Sequence, residues 1–186
     1  EAQKICTTAN ILGAHLEGPF LSPAQCGAQA PKYIIPPDPK SVSALLDRWD
    51  GIKIMGAAPE IPGGLELGRE LISRGITASI AHSDATFEDV ERALEYGYKD
   101  VTHLYSGCSM TKRINAYRVA GVVEAGLFYD CLSVQVIADG KHLPPSLLKL
   151  IYKCKGPDRI VLITDGLCSS AVEASEGTIF TQKNGV

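Results

Sequence analysis

The chain has 186 residues, 45% of them hydrophobic, with a formal charge of −3. That length allows one domain with a sizeable core. The charge gives no electrostatic case for nucleic acid or an anionic membrane as partner. No apolar run approaches the roughly 20 residues of a membrane helix, and no charged n-region with an apolar stretch and a small-residue cleavage site opens the chain.

Residues 1–9 are polar and mixed. The run Ile11-Leu-Gly-Ala-His-Leu-Glu17 then reads as a first strand. Residues 18–37 hold Pro19, Pro23, Pro31, Pro36 and Pro37 without periodicity, which predicts a long loop of the kind that carries function. A helix is predicted from Asp38 to Trp49, opened by an Asp-Pro cap signal. Strand 52–58 runs into Pro59-Glu60, helix 65–74 stops at Gly75, and strand 76–81 ends at His82. Helix 86–96 carries Thr86 and Asp89 in capping-box spacing and stops at Gly97. Strand 100–103 ends at His103, residues 105–117 read as a polar loop, and 119–127 is weakly helical. Strand 132–138 ends at Asp139, Pro144 to Lys153 reads as a helix, and Arg159 to Thr164 is the last core strand, ending at Asp165. Thr178 to Gly185 has the form of a short hairpin strand with an Asn-Gly turn.

Six strand–helix units with near-continuous apolar strands predict a parallel sheet covered by helices. No G-x-G-x-x-G or Walker-type segment follows a strand, which disfavours a dinucleotide or P-loop fold. Polar residues at many strand C-termini favour a (β/α)8 TIM-barrel type of α/β fold, whose active site lies at that end. The six cysteines form no C-x-x-C pair, so they read as reduced thiols in the cytoplasm.

All four histidines, His15, His82, His103 and His142, fall at or just beyond a strand end. Glu17, His82 and His103 are the candidate metal ligands. Two neutral imidazoles and one carboxylate leave a coordination position open, as in a catalytic divalent site. Taken alone, Glu17 could instead pair with an Arg or cap a helix. His15 lies on the same side of its strand as Glu17, in a supporting or a packing role. Asp165, before Gly166, is placed to take a proton from bound water and pass it to a leaving amine; its plainer role is an N-cap. Asp139 has the setting of a turn residue, and His142 is better placed to touch substrate.

Five segments in register, Ala14-His-Leu-Glu-Gly-Pro-Phe20, Ala81-His-Ser-Asp-Ala-Thr86, Val101-Thr-His-Leu-Tyr105, Ile137-Ala-Asp-Gly-Lys-His142 and Leu162-Ile-Thr-Asp-Gly166, resemble the N-acetylglucosamine-6-phosphate deacetylase family of the amidohydrolase superfamily. The resemblance implies Glu17, His82 and His103 as metal ligands, Asp165 as general acid/base and His142 as a substrate contact. It implies a divalent metal, zinc first, with iron, manganese, cobalt or nickel as alternatives. It also implies a phosphorylated amino sugar as substrate, a cytoplasmic setting and a homo-oligomer, as a dimer.

Three departures from the family pattern bear on the substrate. Gln29 stands where the family has a His after the Glu-Gly-Pro segment. Its amide can donate to a carbonyl but cannot carry a proton. Ser106-Gly107 replaces the family's Asn-Ala. The family's phosphate-contacting Arg aligns with Arg118, with Lys112 or Arg113 as substitutes. The resemblance assigns Gln29, Ser106, Gly107, Arg118 and His142 to substrate binding. It further implies that residues 1–172 form barrel strands three to eight of eight, and that 173–186 begin the return strand of a small β-sandwich. Nothing before residue 10 matches the first-strand H-x-H of many amidohydrolases, so a piece of a larger barrel, stabilised by self-association, is expected. The leading reading is deacetylation of an N-acetyl amino sugar. The alternatives are a related amidohydrolase acting on another N-acyl or cyclic amide, or a non-catalytic metal-binding piece.

Overall fold

A computed structural model describes residues 2–167 and 170. In chain order its elements are α1 (Ala2–Ile5), β1 (Ala14–Glu17), α2 (Pro39–Leu46), β2 (Ile52–Ala57), α3 (Gly64–Ser73), β3 (Thr77–Ile80), α4 (Phe87–Glu95), β4 (Tyr98–Val101), β5 (Lys112–Ile114), β6 (Tyr117–Val119), α5 (Val122–Phe128), β7 (Ser133–Ile137), α6 (Pro145–Lys155) and β8 (Ile160–Ile163). The tail strand expected at 178–185, the segment 173–186 and Cys168 lie outside the described residues.

Six strands form one sheet in the order β1-β2-β3-β4-β7-β8. Every pair in it is parallel. Each main-sheet strand therefore neighbours the next one in sequence, with no reversal of order. A doubly wound sheet reverses at its switch point; a barrel wall does not. All six C-terminal ends consequently lie on one side of the sheet, which brings the polar strand ends together.

The helices follow their local signals. The Asp38 carboxylate accepts from the Lys40 and Ser41 amides and opens α2 ahead of Pro39. Thr86 and Asp89 close a capping box on α4, and Gly97 ends that segment at φ 93°. Val90 and Ala93 of α4 are fully buried in a core shared with Leu67 and Leu71 of α3, Ile80 of β3 and Val101 of β4. Full burial of a side chain such as Val90 contributes about 1.5–3 kcal/mol. Tyr98 is also fully buried, and its hydroxyl donates to the Gly64 carbonyl at 2.7 Å, tying β4 to the start of α3.

Two expectations need correction. Residues 105–117 are not wholly a loop, because β5 and β6 form an antiparallel hairpin that sets Arg113 opposite Arg118. Asn115, at φ 55°, turns it; Asn tolerates the left-handed region better than most residues. The helix expected from Val119 starts instead at Val122. Val119 belongs to β6, Gly121 bridges back to Thr86, and the Glu124 carboxylate accepts from the Gly121 amide at the new start.

The sheet also has a polar floor beneath its C-terminal end. The buried Asp100 carboxylate accepts from Ser79 at 2.6 Å, Ser133 at 2.7 Å and Gln135 at 2.6 Å. A carboxyl group that deep is tolerated because three hydrogen-bond donors from the two neighbouring strands, β3 and β7, surround it.

Candidate metal centre

Glu17 is the last residue of β1. Its Oε1 lies 2.7 Å from His82 Nε2 and 2.6 Å from His103 Nε2. The ligand-capable atoms of the three side chains all lie within 4.8 Å of one another, and among the described residues this is the one such group. His82 is 7% exposed and His103 2%. Their rings meet edge to face, 4.9 Å between centroids. Both histidines turn away from their strands in the left-handed region, at φ 44° and 30°. Non-glycine residues there store strain of roughly 1–3 kcal/mol each, which surrounding contacts must offset.

Those contacts are visible at His82. Its Nδ1 lies 2.7 Å from the Gln25 carbonyl, which can only accept, so Nδ1 carries a proton. That leaves Nε2 as the atom directed at Glu17. Two glycines make room for the ring. A Cβ on Gly107 would fall 2.7 Å from His82 Nδ1, and one on Gly27 would fall 3.2 Å from Cε1. Gly107, expected to face substrate, is thus placed against the His82 imidazole.

Bonds from His103 and His82 hold the Glu17 carboxyl far below the usual carboxylate range, outweighing its burial. Burial opposes a charged His82, but the Glu17 carboxylate and the Gln25 carbonyl prevail and raise its pKa. One carboxylate oxygen facing two imidazole nitrogens is a donor set that zinc and its first-row neighbours accept. The three donor atoms lie close enough together to be shared by one ion. Nδ1 of His103 is buried without a hydrogen-bond partner among the described residues. The residues therefore fit a divalent metal.

Gln29 reaches the same carboxylate, its amide donating to Glu17 Oε2 at 3.2 Å. An open cleft of about 530 Å³ runs from Glu17 to Asp165, with His15, Thr102 and Gln135 on its wall. Asp165 sits past β8 at φ 49°, exposed to this cleft. His15 meets Thr102 at 3.5 Å. The remaining expected substrate residues lie apart from the cluster. Ser106 is held in the turn after His103, its amide donating to the His103 carbonyl. Arg118 stands exposed on the hairpin. His142 Nδ1 pairs with Asp139 at 2.8 Å, and its side chain is 46% exposed. Asp139 is the turn residue its sequence suggested. It accepts from the His142 and Lys141 amides, and with the His142 ring these hold its carboxyl down at about 2.

Sequence reasoning passed over Gln25, Gly27, Glu60 and Asp84. Their signals were present in the Pro59-Glu60 end of β2 and in the Ser83-Asp84 pair that follows His82, but their partners lie far away in the chain.

Fold and cluster together define a class: one wall of a (β/α) barrel that gathers two imidazoles and a carboxylate at its strand ends. No protein-family model matches the chain. It is 35% identical over 173 residues to the N-acetylglucosamine-6-phosphate deacetylase of Lysinibacillus sphaericus, covering 90% of this chain and 43% of that protein. The crystal structure of the Mycobacterium smegmatis enzyme of that name superposes with a TM-score of 0.78 at 30% identity, over 88% of this chain and 42% of that one. A mutant of the same enzyme in complex with N-acetyl-D-glucosamine-6-phosphate also matches with a TM-score of 0.78 at 30% identity, over 87% and 42%. The chain belongs to the N-acetylglucosamine-6-phosphate deacetylase family, and it spans less than half the length of the relatives it matches.

Proposed function

We propose that this chain supplies the metal-binding wall of an active site that hydrolyses the acetamide of N-acetylglucosamine 6-phosphate to acetate and a free amine. The observation that carries this reading is the convergence of Glu17, His82 and His103 from three separate strand ends. These residues would hold the ion, with zinc first and iron, manganese, cobalt or nickel suited to the same donors. When bound, the ion supplies Lewis acidity toward the acetyl oxygen and an acidified water.

The chain's own groups do the rest. Asp165 faces the cleft as a carboxylate, takes one proton from the attacking water and returns it to the departing nitrogen. The C–N bond breaks as the water oxygen joins the carbonyl carbon, and with the water's second proton passed from the new acid to the amine, one amide and one water give one acetate and one ammonium group. Gln29, held by Glu17, has a second amide hydrogen for the substrate oxygen. Arg118, with Arg113 facing it, presents paired cations suited to a phosphate. Ser106 and His142 complete the substrate-facing set in this reading, and Gly107 serves it by leaving room for the His82 ring. The described cysteines, Cys6, Cys26, Cys108, Cys131 and Cys154, are free thiols, as suits a reducing cytoplasm.

The test is stoichiometric zinc uptake followed by acetate release from N-acetylglucosamine 6-phosphate, with Asp165→Asn alongside. Zinc bound at one equivalent, with turnover reduced at least 100-fold by Asp165→Asn, is the expected result. Full activity in that variant would remove Asp165 from its role. Stoichiometric zinc without turnover would make the chain a metal-binding piece alone.

A further inference from the structure

The His82 ring is oriented by a chain of hydrogen bonds that reaches into two other loops. Its Nδ1 proton goes to the Gln25 carbonyl at 2.7 Å. Gln25 in turn is fastened by its own side chain, whose Nε2 donates to Asp84 Oδ1 at 3.0 Å. Asp84 is fastened by Glu60, which follows β2. One Glu60 oxygen accepts from the Asp84 amide at 2.7 Å, and the other accepts from the Ser83 hydroxyl at 2.7 Å. The turn immediately after the metal ligand is therefore clamped from below by one carboxylate, and it holds the carbonyl above the ligand through another. Segment 18–37 makes one more contact with this turn, the Ser22 amide donating to the His82 carbonyl at 2.9 Å.

The physical consequence concerns which nitrogen is available. An imidazole binds a metal through a bare nitrogen, and the hydrogen bond at the other nitrogen decides which one is bare. Gln25 can hold the Nδ1 proton only while its backbone is fixed. It sits in a short 3-10 turn whose N-cap Ser22 makes no side-chain capping bond; its amide donates to the Ser22 carbonyl at 3.0 Å, and its side-chain anchor is the link to Asp84. The Asp84–Lys112 contact at 3.2 Å adds little, because both side chains are more than a third exposed.

We propose that Asp84, clamped by Glu60 and acting through Gln25, is a positioning residue for the His82 ligand. It presents the Gln25 carbonyl to Nδ1 so that Nε2 faces the metal. This inference rests on the metal-site reading above.

The test uses the chain as it stands, with zinc as the probe. Zinc affinity by competition with a chromophoric chelator is measured for the wild type, Asp84→Ala, Asp84→Asn and Gln25→Ala. Circular dichroism checks that each variant is folded. The second readout is the His82 ring Nδ1 proton in the zinc-loaded protein, followed by NMR for its shift and its exchange with water. The expected loss is roughly 10- to 100-fold in affinity for Asp84→Ala and Gln25→Ala, the range found when a ligand loses its outer partner. In both variants the Nδ1 proton should exchange faster. Asp84→Asn keeps an oxygen for Gln25 and should restore most of the affinity.

Wild-type affinity and an unchanged Nδ1 proton in folded Asp84→Ala and Gln25→Ala would overturn the proposal while leaving the metal site intact. If Asp84→Ala does not fold, Gln25→Ala decides alone. It removes only the anchor of the carbonyl, from a side chain on a half-buried turn. Failure of the wild-type chain to bind zinc would overturn the metal-site reading itself, a different outcome that the same titration reports.

Discussion

The ends of β1, β3 and β4 and the ends of β7 and β8 carry similar chemistry, a carboxylate or an imidazole just past an apolar strand. They differ in how those groups are held. Glu17, His82 and His103 touch one another, are mostly buried, and are fixed by glycines, carbonyls and neighbouring turns. Asp139 and His142 bond to each other at the surface, and Asp165 follows a strand whose Leu162 is 73% exposed. The difference separates two tasks. A metal ligand set needs its donor atoms placed closely in advance, and buried contacts supply that. A group that moves a proton needs access to the cleft, and Asp165 on its wall keeps it.

The comparison breaks most sharply at Glu17. In Glu17→Ala two buried imidazoles face each other without the carboxylate that joins them, and the donor set loses its only anion. Zinc affinity should fall by more than the roughly 100-fold upper range for loss of an outer partner. Equilibrium dialysis with metal analysis would show it, and near-wild-type binding would sink the ligand assignment.

A pair of glycines sharpens the contrast. Both Gly107 and Gly140 have left-handed φ, 57° and 72°, so alanine costs about 1–2 kcal/mol of backbone strain at either. At Gly140 nothing lies within 4 Å of the added methyl, and that strain should be the whole effect. At Gly107 the methyl meets the His82 ring at 2.7 Å. Gly107→Ala should therefore lose a further ~1–3 kcal/mol in chemical denaturation, as overpacking does, and should weaken zinc binding. Gly140→Ala should bind zinc as the wild type does. Equal losses in the two variants would mean that the His82 ring is not confined as described.

The sequence showed the framework because parallel strands buried on both faces are continuous apolar runs, and each ends at a residue with chemistry. Helix α4 was readable residue by residue, since Thr86, Asp89 and Gly97 are local signals. The hairpin β5–β6 was not, because its arginines and exposed positions look like loop, with only Asn115 to mark a turn. The three metal-type residues were legible because two imidazoles and a carboxylate past apolar strands have few other uses. The partners that orient them were not. Gln25 lies 57 positions from His82 and contributes a backbone carbonyl, which no side-chain pattern encodes. Gln29 was legible as the residue replacing a His, but its bond to Glu17 depends on how segment 18–37 folds back.

The smallest expected effect tests whether the cluster is built for a metal or for its own ion pair. In the metal-free chain the folded-state pKa of Glu17 is depressed, so its contribution is present above the unfolded value near 4.3 and lost as pH falls toward the folded one. The folded-state pKa of His82 is raised, so its contribution is complete below about 6.5 and is lost as pH rises through the folded value. The two together favour the metal-free fold between about pH 4.3 and 6.5, with a decline above. Zinc reverses the upper part of that slope. It needs Nε2 of both histidines deprotonated, so the stabilisation it adds grows as pH rises. Thermal unfolding from pH 5 to 8, with and without saturating zinc, should give curves that diverge toward pH 8. Parallel curves would mean that protons and zinc do not compete for the same nitrogens, and that the cluster at β1, β3 and β4 is held together for a reason other than a metal.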